Sequence, residues 1–163
     1  MRIHSYRHIT LSLLLILAFA CGKKEDEGCE LSPEILDQDL TVNIIRLEKD
    51  FFEAKSIDEF KYLFEKHPEF TKEYLQMDLY ASPDSLAAEL LAIHQDSAMR
   101  VLYDSVEVVF NDFSGVEKDL ETAFKAIKYY FPQFQIPKVY TFTSGFNSDL
   151  IVKDDSIVIG LDY

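Results

Sequence analysis

Pro137-Lys138-Val139-Tyr140-Thr141-Phe142-Thr143 decides the fold class of this 163-residue chain. Before it, apolar residues recur at helical spacing. Val116, Leu120, Ala123, Phe124, Ile127, Tyr130 and Phe131 fall on one side of a helix that Gly115 precedes, and Glu117, Lys118, Glu121, Lys125 and Lys128 fall on the other. Pro132 and Pro137 end that helix, because proline lacks the donor a helix interior needs. From Lys138 onward the pattern is extended and rich in β-branched and aromatic side chains. Ser144-Gly145-Phe146-Asn147-Ser148 supplies turn residues. Leu150-Ile151-Val152 and Ser156-Ile157-Val158-Ile159-Gly160-Leu161 then read as two arms of a hairpin around Lys153-Asp154-Asp155. Their nearly continuous apolar character predicts a sheet covered on both faces.

Upstream, Thr41-Val42-Asn43-Ile44-Ile45-Arg46-Leu47 predicts one more strand. Ser56 with Glu59 three residues on is a capping box, followed by Ile57, Phe60, Leu63 and Phe64 on one helical side, with Pro68 as the stop. Ser82-Pro83-Asp84 repeats the start signal, with proline at the first helical position. Leu86, Leu90 and Ile93, then Met99 and Leu102, continue the stripe across a break near Gln95-Asp96. A strand, several helices and a three-strand segment packed on them make an α+β domain, expected over residues 38–163. The chain stops at Tyr163 directly after an apolar strand, so the reading expects this domain to be part of something longer.

The first twenty-nine residues are of another kind. Arg2 and Arg7 form a basic head, Leu13 to Ala20 is an unbroken apolar run, and Cys21 stands directly behind Ala20. A membrane-spanning helix needs about 20 apolar residues, which this run does not reach, whereas an export signal needs fewer. Residues 1–20 are therefore read as a signal peptide, and Cys21 as the thiol that lipoprotein processing acylates, with diacylglycerol and a fatty acid such as palmitate. One acyl chain binds a bilayer only marginally, and several hold it. Residues 21–37 are the lipidated, charged linker that gives the domain reach. Ala18-Phe19-Ala20 also satisfies ordinary secretory cleavage, after which Cys21 and Cys29 could pair as a disulfide. That bridge would close a short charged loop with no core to staple, and the lipidated reading is preferred.

Charge narrows the function. The chain has 16 basic and 29 acidic residues, a net charge of −13. Removing residues 1–20 takes away Arg2 and Arg7 and no acid, leaving 14 basic residues against 29 acidic and a net charge of −15. Such a balance argues against nucleic acid, whose phosphates demand a basic face, and against electrostatic adhesion to anionic lipid. Past Cys21 the histidines are His67 and His94 and the second sulfur is Cys29, so no clustered zinc set is expected.

Val42-Asn43-Ile44 with Arg46-Leu47-Glu48-Lys49-Asp50-Phe51-Phe52 resembles the first signature block of the gliding motility lipoprotein GldB family. Phe131-Pro132-Gln133-Phe134, the run from Pro137 to Asn147, and Ile151 to Tyr163 are similar to later blocks, so with the signal the likeness covers essentially the whole chain. The resemblance implies a membrane-anchored lipoprotein of the cell envelope that acts in gliding through other envelope gliding proteins. It also implies that further sequence follows the block ending at Tyr163. Lys24-Glu25-Asp26 is similar to a surface-export tag of such bacteria, and by composition reads equally as a solvating charge run.

Each chemically interesting residue has an ordinary explanation beside the functional one. His67 beside Pro68 suits a cationic or hydrogen-bonding helix end cap, the alternative being a catalytic base. His94 suits a helix surface or a satisfied, partly buried imidazole, the alternative being a ligand. Asp154-Asp155 is ordinary hairpin-turn chemistry, the alternative being a cation site. The zincin, nucleophile-elbow and phosphate-loop patterns do not occur, so the leading reading is a non-enzymatic component without catalytic residues, metal, cofactor or small-molecule ligand. The rival is an exported zincin-like peptidase, or a degenerate relative, whose catalytic segment lies beyond residue 163; it rests on analogy of layout.

Overall fold

In the computed structural model of the protein, residues 31–147 and 149–163 are described. Residues 1–20 and Cys21 lie outside them. The compact unit runs from Pro33 to Tyr163, starting a little before the boundary at 38 read from the sequence.

The expected α+β class holds. After a short helix α1 (Pro33–Leu36) come strand β1 (Ile44–Arg46) and helices α2 (Leu47–Glu53), α3 (Ile57–Lys66) and α4 (Pro68–Glu73). A 3-10 turn (Met77–Leu79) leads to α5 (Pro83–Gln95), α6 (Ser97–Phe110) and α7 (Ser114–Tyr130). Strands β2 (Lys138–Phe142), β3 (Leu150–Val152) and β4 (Ser156–Gly160) close the unit. The sheet order is β1-β2-β4-β3. β1 and β4 lie parallel to β2, and β3 is antiparallel to β4.

Local chemistry explains most boundaries. Ser56 accepts the Glu59 N–H at 3.3 Å, as the capping pattern requires. The Glu59 carboxylate instead accepts the Lys55 N–H at 2.6 Å. Ser82 and Ser85 form a reciprocal box at the start of α5. The expected break at Gln95-Asp96 is a helix junction, where Asp96 ends α5 and caps α6 by accepting the Ala98 and Met99 N–H groups.

Four expectations change. The first strand is only Ile44–Arg46, because Leu47 already opens α2, which carries the fully buried Phe51. Pro68 ends α3 but also starts α4, since proline at a first helical position gives up no hydrogen bond. The α7 stripe is only partly covered: Phe124 is buried, while Ile127, Tyr130 and Phe131 are exposed. The last turns of α7 pack against α1 rather than the sheet; Gln38 donates to the Lys125 carbonyl and Tyr129 to Glu34. Finally, both faces of the sheet are covered over β2 but not at β3, whose Leu150 and Val152 side chains face solvent.

The main core lies on one face. Tyr140, Phe142 and Val158 of the sheet meet Phe51, Phe60, Phe64 and Phe70. Phe51 sits edge-on to Phe60, Phe70 and Phe142, with ring centroids 5.8, 5.9 and 5.3 Å away, the arrangement the ring quadrupole favours. On the opposite face Val139 packs with Leu40, Val42 and Phe124, and Val106, Phe113 and Leu161 form a smaller cluster.

Candidate functional site

Polar groups gather where the parallel strands end, the position at which open α/β sheets offer a ligand crevice. At the end of β1, Arg46 donates through Nε to one carboxylate oxygen of Glu48, and the Thr141 hydroxyl of β2 donates to the other. Glu48 is fully buried, and these two donors satisfy its carboxylate oxygens. Arg46 also donates to the Phe110 carbonyl at 2.9 Å and lies 4.6 Å over the Phe113 ring. Glu107 of α6 stands 3.7 Å from Arg46 and 3.5 Å from Lys49. Burial and the Glu107, Glu48 and Glu53 charges push the neighbouring Tyr103 up to about 12, so its hydroxyl keeps its proton at neutral pH.

A second cluster follows β4. Asp162 accepts the Ser144 and Phe146 backbone N–H groups, both at 2.8 Å, and the Ser144 hydroxyl at 3.3 Å. The loop turns through Gly145 and Phe146, both at positive φ, and Gly145 lies against Met99, where an added Cβ would meet sulfur at 3.4 Å. Burial first, then the Asp162 charge, pushes Tyr74 up to about 12, against a hydrogen bond with Ser144.

Both clusters spend their polar atoms on the protein itself. Glu48 ties β1 and α2 to β2, and Asp162 ties the end of β4 to the loop after β2. Neither is a lining group of the principal clefts of the described surface. Their chemistry is that of cross-links, which set the loops at the strand ends. Among the described residues no group of three or more His, Cys, Asp or Glu is placed to hold a metal ion.

The structure separates the residues singled out from the sequence. His67 is the junction of α3 and α4; it is buried with Nε2 unpartnered, edge-on to Tyr140. Burial first, then Lys66, lowers its pKa, so it is held towards the neutral form; it ends α3 by hydrogen bond, its backbone N–H donating to the Leu63 carbonyl at 2.9 Å, rather than by charge. His94 is not on a helix surface: it is 1 % exposed, stacked on Phe60 and against Phe52, with Nδ1 unpartnered. Burial, then Arg100, lowers it to about 4, against a hydrogen bond with the Phe51 backbone. Asp154 and Asp155 form the hairpin turn as expected, closed by Lys153 N–H donating to the Ser156 carbonyl at 2.8 Å.

Arg46, Glu48, Thr141 and Asp162 were not singled out as a set, although all lie in the motif blocks quoted above. The available signal was a charged pair inside an apolar run, Arg46-Leu47-Glu48, which demands a partner wherever the run is buried. The remaining distinctive surface is apolar. On α6, Val101, Val108 and Val109 are 66, 84 and 69 % exposed, the kind of exposure that marks contact surfaces when side by side. No helix of the described residues is long and apolar enough to cross a membrane.

A family profile described as gliding motility protein GldB matches residues 28–163. No curated protein and no solved structure matches the chain. The chain belongs to the GldB family, and so to a gliding-motility family of the cell envelope.

Proposed function

We propose that this GldB-family chain is a lipid-anchored envelope component that serves gliding by binding other envelope proteins. The observation that carries the reading is the junction Leu13 to Cys21, a short apolar run ending in a small residue before cysteine. On this reading residues 1–20 are removed, Cys21 holds the lipid, the linker expected over residues 21–37 is cut short at Pro33 where the packed unit begins, and that unit, Pro33 to Tyr163, meets partners. The exposed valines of α6 support the partner-binding half, because solvent-facing apolar side chains lose water only when something covers them.

Metabolic labelling with a fatty acid tests the anchor. Label enters the wild-type chain and not Cys21→Ser, which accumulates as uncleaved precursor. Label retained by Cys21→Ser overturns the assignment. Colony spreading of a strain carrying only Cys21→Ser tests the role, and unimpaired spreading counts against an anchor-dependent function.

A further inference from the structure

Helix α7 runs out into three aromatic residues in succession. Tyr130 and Phe131 are 66 and 67 % exposed, and the Tyr129 ring, also exposed, stands edge-on to Tyr130 with centroids 5.2 Å apart. Single exposed rings are common on protein surfaces, whereas a run of them marks a surface that meets something less polar than water. Further back on the same helix Phe124 packs with Val139 and Phe134, so the core of this face closes without the three rings.

Their place in the chain fixes what stands nearest. The Tyr129 hydroxyl donates to Glu34 at 3.1 Å, Lys125 Nζ to the Leu36 carbonyl at 2.9 Å and Gln38 to the Lys125 carbonyl at 3.0 Å, so the end of α7 lies on α1. α1 opens at Pro33, where the packed unit begins. Residues 22–32, eleven in all, join Pro33 to Cys21. A chain of that length spans at most about 40 Å in any conformation. With Cys21 held in a bilayer, Pro33 and the rings beside it stay within that reach of the lipid surface. A linked surface is met at high effective concentration, so weak contacts suffice to seat it.

Charge decides which lipid. The acids of this end are Glu34, Asp37 and Asp39, and its bases are Lys125 and Lys128; Glu121, two turns back, accepts the Val42 N–H. Both ammonium groups donate to carbonyls, of Leu36 and of Phe134, and three acids against two bases give anionic headgroups no advantage. Tyrosine and phenylalanine suit the headgroup layer of a neutral phospholipid, where the rings leave water and the tyrosine hydroxyls stay wet. We propose that Tyr129, Tyr130 and Phe131 form a docking face that seats in the neutral phospholipid surface to which the chain is tethered. The proposal rests on the lipid-anchored reading and adds to it which end of the domain faces the bilayer.

The sequence contains no tryptophan, so one introduced indole reports alone. The full chain is reconstituted in phosphatidylcholine vesicles brominated near the headgroup, and indole quenching is read for Tyr130→Trp and Leu79→Trp. Leu79 is 77 % exposed in the 3-10 turn, whose Met77 packs on the other face of the sheet, and it supplies the control. Quenching of Tyr130→Trp should exceed that of Leu79→Trp by about threefold, because only a ring at headgroup depth meets bromine. Adding Phe131→Ser to Tyr130→Trp, both at exposed positions that leave the fold intact, should lower the quenching. Adding anionic phospholipid should not raise it. Equal quenching at the two positions, or quenching that needs anionic lipid, overturns the proposal. Shielding of Tyr130→Trp from aqueous iodide that is lost on diluting the protein in lipid, without bromine quenching, overturns it too and gives the face to a second copy. Fatty acid labelling of the same preparation separates the two readings. Label on Cys21 without excess quenching refutes the docking face alone, and a chain without label refutes both.

Discussion

On one face of the sheet Phe51 is ringed by Phe60, Phe70 and Phe142, with Leu47, Leu86 and Tyr140 closing the cluster. On the other, the packing is split: Val139 meets Leu40, Val42 and Phe124, and Val106, Phe113 and Leu161 make a small contact under α6, whose Val101, Val108 and Val109 face solvent. The first face is filled by long-range aromatic packing; the second is completed by the charged tie of Arg46, Glu48 and Thr141. The difference assigns labour: the aromatic face holds the fold, and the thin face is free to carry surface for others.

Deleting one side chain from each face tests that division. Phe51→Ala should destabilise by about 3–5 kcal/mol, the transfer term plus the cavity left among rigid rings. Val106→Ala removes two methyl groups beside a thin layer that can relax, and should cost about 1–2 kcal/mol. Urea unfolding of both variants gives the ratio, and equal losses would erase the distinction between the faces.

The charged tie comes next in size. Glu48→Ala leaves Arg46 mostly enclosed without its carboxylate, and should cost about 3 kcal/mol. Replacing both partners, Arg46→Met with Glu48→Leu, should recover more than half of that loss, because no orphaned charge remains. A double-mutant cycle reads the coupling directly. A double variant no better than Glu48→Ala would show that the pair does more than satisfy itself.

How far the sequence reached follows the same division. The α+β class was legible because Pro132 and Pro137 separate a period of 3.6 from an extended pattern, and the hairpin because Lys153-Asp154-Asp155 interrupts an apolar run. Capping at Ser56, Ser82 and Asp96 is local chemistry, so those helix starts read correctly or nearly so. The strand at Ile44–Arg46 was overextended because Leu47 satisfies strand and helix patterns equally, and only packing of Phe51 chooses. The Glu48–Thr141 contact spans 93 positions and leaves no periodic trace. His94 was left between a helix surface and a partly buried imidazole for a related reason: only Phe52 and Phe60 closing over it decide for burial.

His94 gives the aromatic face a pH signature on the acid side. Its folded pKa, lowered to about 4, lies below the ordinary histidine value of 6.5. Above pH 6.5 both folded and unfolded forms are neutral and the residue adds no slope. As pH falls below 6.5 the unfolded chain takes up the proton first, so stability declines until the folded value is reached. The loss should be about 2 kcal/mol by pH 5. In His94→Phe the slope between pH 6.5 and 5 should flatten, whatever the variant's absolute stability. An unchanged slope would assign the acid sensitivity elsewhere, with His67, also lowered by burial, the next group to replace.

The smallest effect on stability belongs to the thin face, and it separates fold from function. Val108 is the most exposed of the α6 valines, so Val108→Thr should move the unfolding midpoint by less than about 0.5 kcal/mol, as for other surface changes. If the α6 surface meets a partner, the same substitution lowers colony spreading while the chain stays folded and lipidated. Val139→Thr, a change of the same chemistry at a buried position of β2, supplies the contrast. It should destabilise by more than the surface change, because a buried hydroxyl there must find a partner. Spreading lost in Val139→Thr but retained in Val108→Thr would return the requirement to the fold and remove the α6 valines as a contact surface.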